Sequence, residues 1–246
     1  MYDILLPVLF LATLLVAIHS YFGEKIIKRG IIFTDLAIGQ MAAVGSSISV
    51  AFFHAEYLYL FSLSSALVAS IAISFVIQRV KHIEAFIGLL YVLGASSVML
   101  ILTSSADGLE HFNELLAADI LFTSTDAIIK SSLIYAVVAL VAHFILKRLE
   151  GLAYEMLFFT LLAVVVTSSV QLAGVFVVFT LLIAPALIGL YLSKKRSYLV
   201  SVISGTIFSS IAILVSFYMD LPTGYLIVFL GALTAIITMV VKGMKA

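Results

Sequence analysis
Apolar residues run along this chain in blocks about as long as a bilayer is thick, separated by short polar joints. The blocks lie near 4–22, 34–53, 58–77, 85–103, 127–146, 156–171, 175–192, 198–217 and 225–241. Roughly 20 apolar residues in a helix cross the hydrocarbon core. The pattern therefore predicts an all-α polytopic membrane protein of eight to nine transmembrane helices, organised as one domain over residues 1–246. One piece, Leu115 to Phe122, is too short to cross and reads as interfacial or re-entrant. The joints hold about ten residues or fewer apart from 104–126, and none has the composition of a flexible linker. The first block follows Met1-Tyr2-Asp3, with no basic lead and no small-residue cleavage site, so it reads as a retained span.

Composition narrows the class. Hydrophobic residues make up 64% of the chain and charged residues 11%, against about 45–50% and about 25% in soluble domains. Such a composition argues against a soluble enzyme and excludes a disordered or fibrous chain. Net charge is zero and no basic face exists, so nucleic-acid binding has no support. The absence of Cys excludes disulfides, thiolate metal sites and cysteine nucleophiles.

The basic residues set a direction. Lys25, Lys28, Arg29, Arg79, Lys81, Lys147, Arg148, Lys194, Lys195, Arg196, Lys242 and Lys245 fall on one side if nine blocks alternate; these are twelve of the thirteen, with Lys130 opposite. Basic residues near span ends are retained in the cytoplasm. The expectation is an outside N-terminus and a cytoplasmic C-terminus. Fusing the sixth and seventh blocks would move the last five basic residues to the wrong face, which favours nine spans over eight. Asp3, Glu56, Asp107, Glu110, Glu114, Asp119, Asp126 and Asp220 gather toward the opposite side, with His54 and His111. An acidic mouth concentrates cations and docks basic partners. Glu110, His111 and Glu114 fit one helical face, either as an oxygen-and-imidazole metal site or as an ordinary surface helix.

Two blocks differ from plain lipid-facing spans. The second, from Thr34 to Ser47, is crowded with Ala, Gly and Ser, which let backbones approach closely inside a bilayer. It also carries Asp35 and Gln40, costly in hydrocarbon unless they face a partner or a pathway. Thr34 as an N-cap, with Asp35 in the first turn, is the competing structural reading. Gln40 reads more readily as an interhelical hydrogen-bonding group than as an ion ligand. The seventh block contains Pro185, which removes a backbone donor and bends or breaks a helix, either as a static kink or as part of a moving element. The stretch from Ser168 to Gly174 before it reads as a tight outward hairpin.

No Walker-type G-x-x-x-x-G-K-[ST] and no H-E-x-x-H occur. Nor is there a chain of intramembrane acids and histidines of the kind that drives a proton pump. Uphill transport by this chain would draw its energy from another subunit.

Four stretches then resemble one family in register. They are Asp35 to Gly45, Glu110 to Ala117 with Ile120-Leu121, Val166 to Val175 running on to Leu182-Ile183-Ala184-Pro185-Ala186, and Asp220-Leu221-Pro222-Thr223-Gly224. Together they resemble the metal-ion permeases of ABC importers, over nearly the whole chain. Many members carry His four residues after the Asp; here Gly39 stands there, with Gln40 one further, as in a Gln-containing branch. The joint that carries the coupling helix in the family is reduced here to Lys147 through Glu155.

The resemblance implies a fold similar to the vitamin B12 importer permease and a homodimer in a bacterial cytoplasmic membrane. It also implies a cytoplasmic ABC ATPase that carries the ATP, and an extracytoplasmic binding protein that delivers zinc, manganese or iron(II). No tightly bound cofactor is expected, only the transported ion. Asp35 would be the pathway ligand, with Gln40 and Met41 lining and Gly174 and Pro185 shaping a moving helix. Leu149, Glu150, Gly151, Leu152, Ala153 and Tyr154 would receive the ATPase. A permease for a metal chelate or small organic cofactor is the alternative.

Overall fold
The structure, a computed structural model, describes residues 2–103 and 120–243. Nine helices among them are long and apolar enough to cross a membrane, and the described residues contain no strand. They are α1 (Tyr2–Arg29), α2 (Thr34–Phe53), α3 (Leu58–Val76), α4 (Ile83–Leu102), α5 (Thr125–Phe144), α6 (Gly151–Ala173), α7 (Val175–Leu192), α8 (Ser197–Met219) and α9 (Thr223–Gly243). Short 3-10 turns occupy Ile120–Phe122 and Leu146–Arg148. The all-helical fold and the nine-span reading both hold. The sixth and seventh blocks are separate helices, divided at Gly174, whose φ of 81° and ψ of 163° an L side chain does not adopt cheaply. The hairpin expected over Ser168 to Gly174 is corrected by this: α6 stays helical through Ala173, and one glycine makes the whole break.

The chain forms two compact units. The first holds α1, α7, α8 and α9, which pack on one another, with the Ile120–Phe122 turn against α1 and α9. Its helices meet where side chains are smallest. A Cβ on Gly23 of α1 would strike the Leu182 carbonyl of α7. One on Gly189 of α7 would strike Ser197 and Ser201 of α8, and one on Gly205 of α8 would lie 2.9 Å from the Pro185 ring. In lipid there is little hydrophobic drive between helices, so contacts of this closeness supply the van der Waals attraction that holds the bundle. Helix α7 continues through Pro185, which is buried. The turn between α8 and α9 is built by Asp220, left-handed at φ 52°, and by Ser216. The Ser216 hydroxyl lies 2.6 Å from Thr223 Oγ1 and 2.5 Å from the Leu221 carbonyl. That turn is the Asp220-to-Gly224 motif read in the sequence.

The second unit centres on α2, which packs against both α3 and α4. Gly45 faces the Phe61 carbonyl so closely that a Cβ would overlap it, and Ser62 Oγ donates to the Ala42 carbonyl at 2.9 Å. Gly94 of α4 receives Gln40, whose Cβ would lie 3.0 Å from an added methyl. Ala43 and Val44 of α2 meet Val98 and Leu102 of α4 in one buried cluster. Residue order in these contacts makes α3 antiparallel and α4 parallel to α2, as alternating spans require. Ser74 Oγ reaches the Glu155 carbonyl at 3.3 Å and ties α3 to α6.

The α5–α6 contact is polar. The Tyr135 hydroxyl, fully buried, lies 2.8 Å from Ser169 Oγ and accepts from Ser168 Oγ at 3.1 Å. Tyr135→Phe keeps the ring and removes that link. We expect it to lower stability by about 1 kcal/mol, the usual net value of such a bond, read as a lowered midpoint of thermal unfolding in detergent.

Candidate functional site
Helix α2 lacks a conventional N-cap. The N-cap position is Phe33, whose side chain cannot accept a hydrogen bond. Thr34 is the first helical residue, and its hydroxyl turns back to donate to the Ile31 carbonyl at 2.6 Å. The N-capping role read for Thr34 is corrected by this geometry: once its hydroxyl is spent on Ile31, it does not serve the amides ahead. The acceptor comes instead from α4, where Glu84 Oε1 accepts the Phe33 N–H at 3.3 Å. Sequence spacing hides this contact, because Glu84 lies about fifty residues away and reads as an ordinary first-turn acid.

Asp35 does stand in the first turn of α2, as read. It is only 2% exposed, and neither of its carboxylate oxygens has a hydrogen-bond partner among the described residues. A buried carboxylate without a partner costs several kcal/mol, so such groups are kept where something polar visits them. Dipole interaction with the α2 N-terminus offsets part of that cost.

Gln40 is buried against Gly94. Five residues separate it from Asp35, which is about 140° around a helix. The two side chains therefore do not share a face of α2. Met41 is half-buried against the Ala43, Val44, Val98 and Leu102 cluster. Gly174 precedes α7 and Pro185 lies within it, both in the first unit, where their roles are to break and to pack. Glu110, His111 and Glu114 lie outside the described residues. Among the described residues no group of three or more His, Cys, Asp or Glu assembles a metal site.

The joint between α5 and α6 is short. After the 3-10 turn Leu146–Arg148, Leu149 is extended, and α6 already begins at Gly151 with φ 58°. Glu150, Gly151, Leu152 and Ala153 are exposed, while Leu149 and Tyr154 are half-buried, Tyr154 stacking on Phe158 at 5.9 Å between ring centroids. The segment read as an ATPase-receiving joint is thus mainly the exposed first turn of α6. In the first unit, a cavity of about 490 Å³ is lined by Pro7, Val8, Phe122, Thr123, Ser216 and Asp220 among others.

Comparison with known proteins fits this architecture. Two chains of Haemophilus influenzae (strain ATCC 51907 / DSM 11121 / KW20 / Rd), each named "Probable iron transport system membrane protein", are similar in sequence. One is 28% identical over 156 residues, 56% of this chain and 58% of its own length. The other is 33% identical over 87 residues, 35% of this chain and 31% of its own length. The chain therefore spans 58% and 31% of the curated relatives it matches.

The fold is similar to a chain of PsaBC from Streptococcus pneumoniae, solved in complex with Fab. That match has a TM-score of 0.79 at 18% identity and covers 96% of this chain and 91% of that one. It is also similar to a chain titled "An inward-facing conformation of a putative metal-chelate type ABC transporter", with a TM-score of 0.71 at 14% identity, covering 98% and 86%. The family resemblance read from the sequence is borne out by the family match, and the expected fold by the structural likeness. Residues 149–242 match the ABC 3 transport family, and the fold is similar to those two solved chains over nearly its whole described length.

Proposed function
We propose that this chain is the membrane-spanning permease subunit of an ATP-driven ABC importer for a divalent transition-metal ion: zinc, manganese or iron(II). It works as one permease domain in a homodimer in a bacterial cytoplasmic membrane, with its N-terminus outside and its C-terminus in the cytoplasm. ATP hydrolysis belongs to a separate cytoplasmic ABC ATPase docking at 149–154, and an extracytoplasmic binding protein supplies the ion. A two-fold dimer closes on one self-complementary surface, which suits a pathway shared by two copies. The observation that carries the reading is Asp35, a buried carboxylate with two unpartnered oxygens in the span with the most small residues. Separated ligands hold an ion well enough to replace water and weakly enough to release it.

A second reading keeps the architecture and changes the cargo to a metal chelate or small organic cofactor. Gln40, a neutral group buried in α2, favours it, as does the likeness to a metal-chelate type transporter. Purification of the chain from native membranes, followed by elemental and mass analysis of the binding protein that accompanies it, separates the two. A bare transition metal at about one per binding protein supports the ion. An organic ligand supports the chelate, and the absence of an ABC ATPase from the complex contradicts both.

A further inference from the structure
We propose that His19 of α1 is a nitrogen ligand on the cation's route through this chain, an inference that rests on the transport reading above. His19 is fully buried in α1, between Ile18 and Ser20 near the end of the apolar block 4–22. Its Nδ1 lies 2.8 Å from the Leu15 carbonyl. A carbonyl only accepts, so Nδ1 carries the proton, and Nε2 is left as a bare lone pair. That Nε2 is buried and has no partner.

This is the arrangement a metal-binding imidazole uses. One ring nitrogen donates to a backbone carbonyl, fixing tautomer and orientation, and the other is free to bind. A histidine kept only for packing would be expected to spend both nitrogens. Ser20 Oγ and Glu24 Oε1, one helical turn apart on the adjoining face of α1, are likewise buried without partners, the other Glu24 oxygen pairing with Lys28 at 3.5 Å.

The surroundings put this nitrogen at a pivotal level of the first unit. Val16 and Gly23, one turn before and one turn after His19, share its face of α1. Val16 meets Gly205 of α8 beside the Pro185 ring, and Gly23 presses on the Leu182 carbonyl of α7. Pro185 has no N–H to offer the Leu181 carbonyl four residues earlier, and Leu181 is buried. The first unit thus holds two acceptors, the lone-pair nitrogen of His19 on α1 and, on α7, the Leu181 carbonyl that Pro185 has no N–H to serve. Both accept and neither donates, which is the polarity a cation or its water needs. Imidazole nitrogen is a good ligand for zinc and other late divalent metals.

The test reconstitutes the whole transporter, this chain with its ATPase and binding protein, in proteoliposomes, and measures ATP-driven uptake of Zn²⁺, Mn²⁺ and Fe²⁺ each used alone. His19→Phe keeps a ring and removes the nitrogen. His19→Cys loses the ring and supplies another metal ligand. With the metal that the wild-type complex accumulates, we expect His19→Phe to lose about tenfold or more in rate and His19→Cys to stay within a few-fold of wild type. The reverse order assigns His19 to packing and overturns the proposal, as does equal loss or equal retention in both variants. If the wild-type complex accumulates none of the three metals, it is the transport reading itself that fails.

Discussion

Uptake through an Asp35→Asn variant should fall by about a hundredfold or more while the protein becomes no less stable. Asn has nearly the shape of Asp, so packing in the first turn of α2 is preserved. What disappears is a carboxylate that is 2% exposed and has no partner. Losing a supporting group outside the ligand shell already costs about 10–100-fold at metal sites, and Asp35 is assigned as a ligand itself. Stability should move the other way, because a buried unpaired carboxylate is a cost to the fold. The check is transport rate and unfolding midpoint measured on the same preparation. Lost uptake with an unchanged or higher midpoint and intact dimer supports the assignment. Wild-type uptake in Asp35→Asn or Asp35→Ala removes Asp35 from the pathway.

The second large effect is on folding. Gly45 lies against the backbone of Phe61, where an added Cβ would overlap the carbonyl oxygen. Backbone cannot swing aside as a flexible side chain can, so α2 and α3 must separate. That separation also pulls Ser62 Oγ from the Ala42 carbonyl, now 2.9 Å away. Overpacking of this kind costs about 1–3 kcal/mol in forgiving cores and more where backbone is the obstacle. Gly45→Leu should therefore lose about 3 kcal/mol or more and give little folded protein by size-exclusion chromatography in detergent. Gly88 is the control: it has nothing within 4 Å of the position a Cβ would take. In Gly88→Ala the helix gains propensity without a clash, and yield should equal or exceed wild type.

Much of the fold was legible because a membrane helix announces itself by length and apolarity. Every block became a helix. The boundaries erred where helix and apolarity part company. Helix α1 runs on to Arg29, past the block end near 22, because Glu24, Lys25 and Lys28 continue the helix beyond the apolar run. Lys28 and Glu24 even pair at 3.5 Å across one turn. Helix α6 starts at Gly151 rather than near 156, since Gly151 to Ala153 in its first turn are exposed and only partly apolar.

Of the candidate site, the sequence singles out the charged residue and not the contacts around it. Asp35 stood out because a carboxylate in a small-residue span has few structural excuses. Its face relation to Gln40 followed from spacing, and the structure adds the Gly94 contact that fixes where Gln40 goes. Glu84 escaped notice because its bond to Phe33 joins residues far apart in sequence. His19 escaped because a single histidine in an apolar run has no signature. Only the commitment of one nitrogen to Leu15 and the orphaning of the other distinguish it.

The central claim is that this chain is a passive route whose work is done by another subunit. Proteoliposomes carrying the chain alone, compared with proteoliposomes carrying it together with its ATPase and the binding protein, measure that directly. With an ion gradient but no ATPase, the chain should accumulate no metal. With the complete set, accumulation should appear only when ATP is enclosed on the ATPase side. Concentrative uptake by the chain alone, driven by the gradient, would contradict the account.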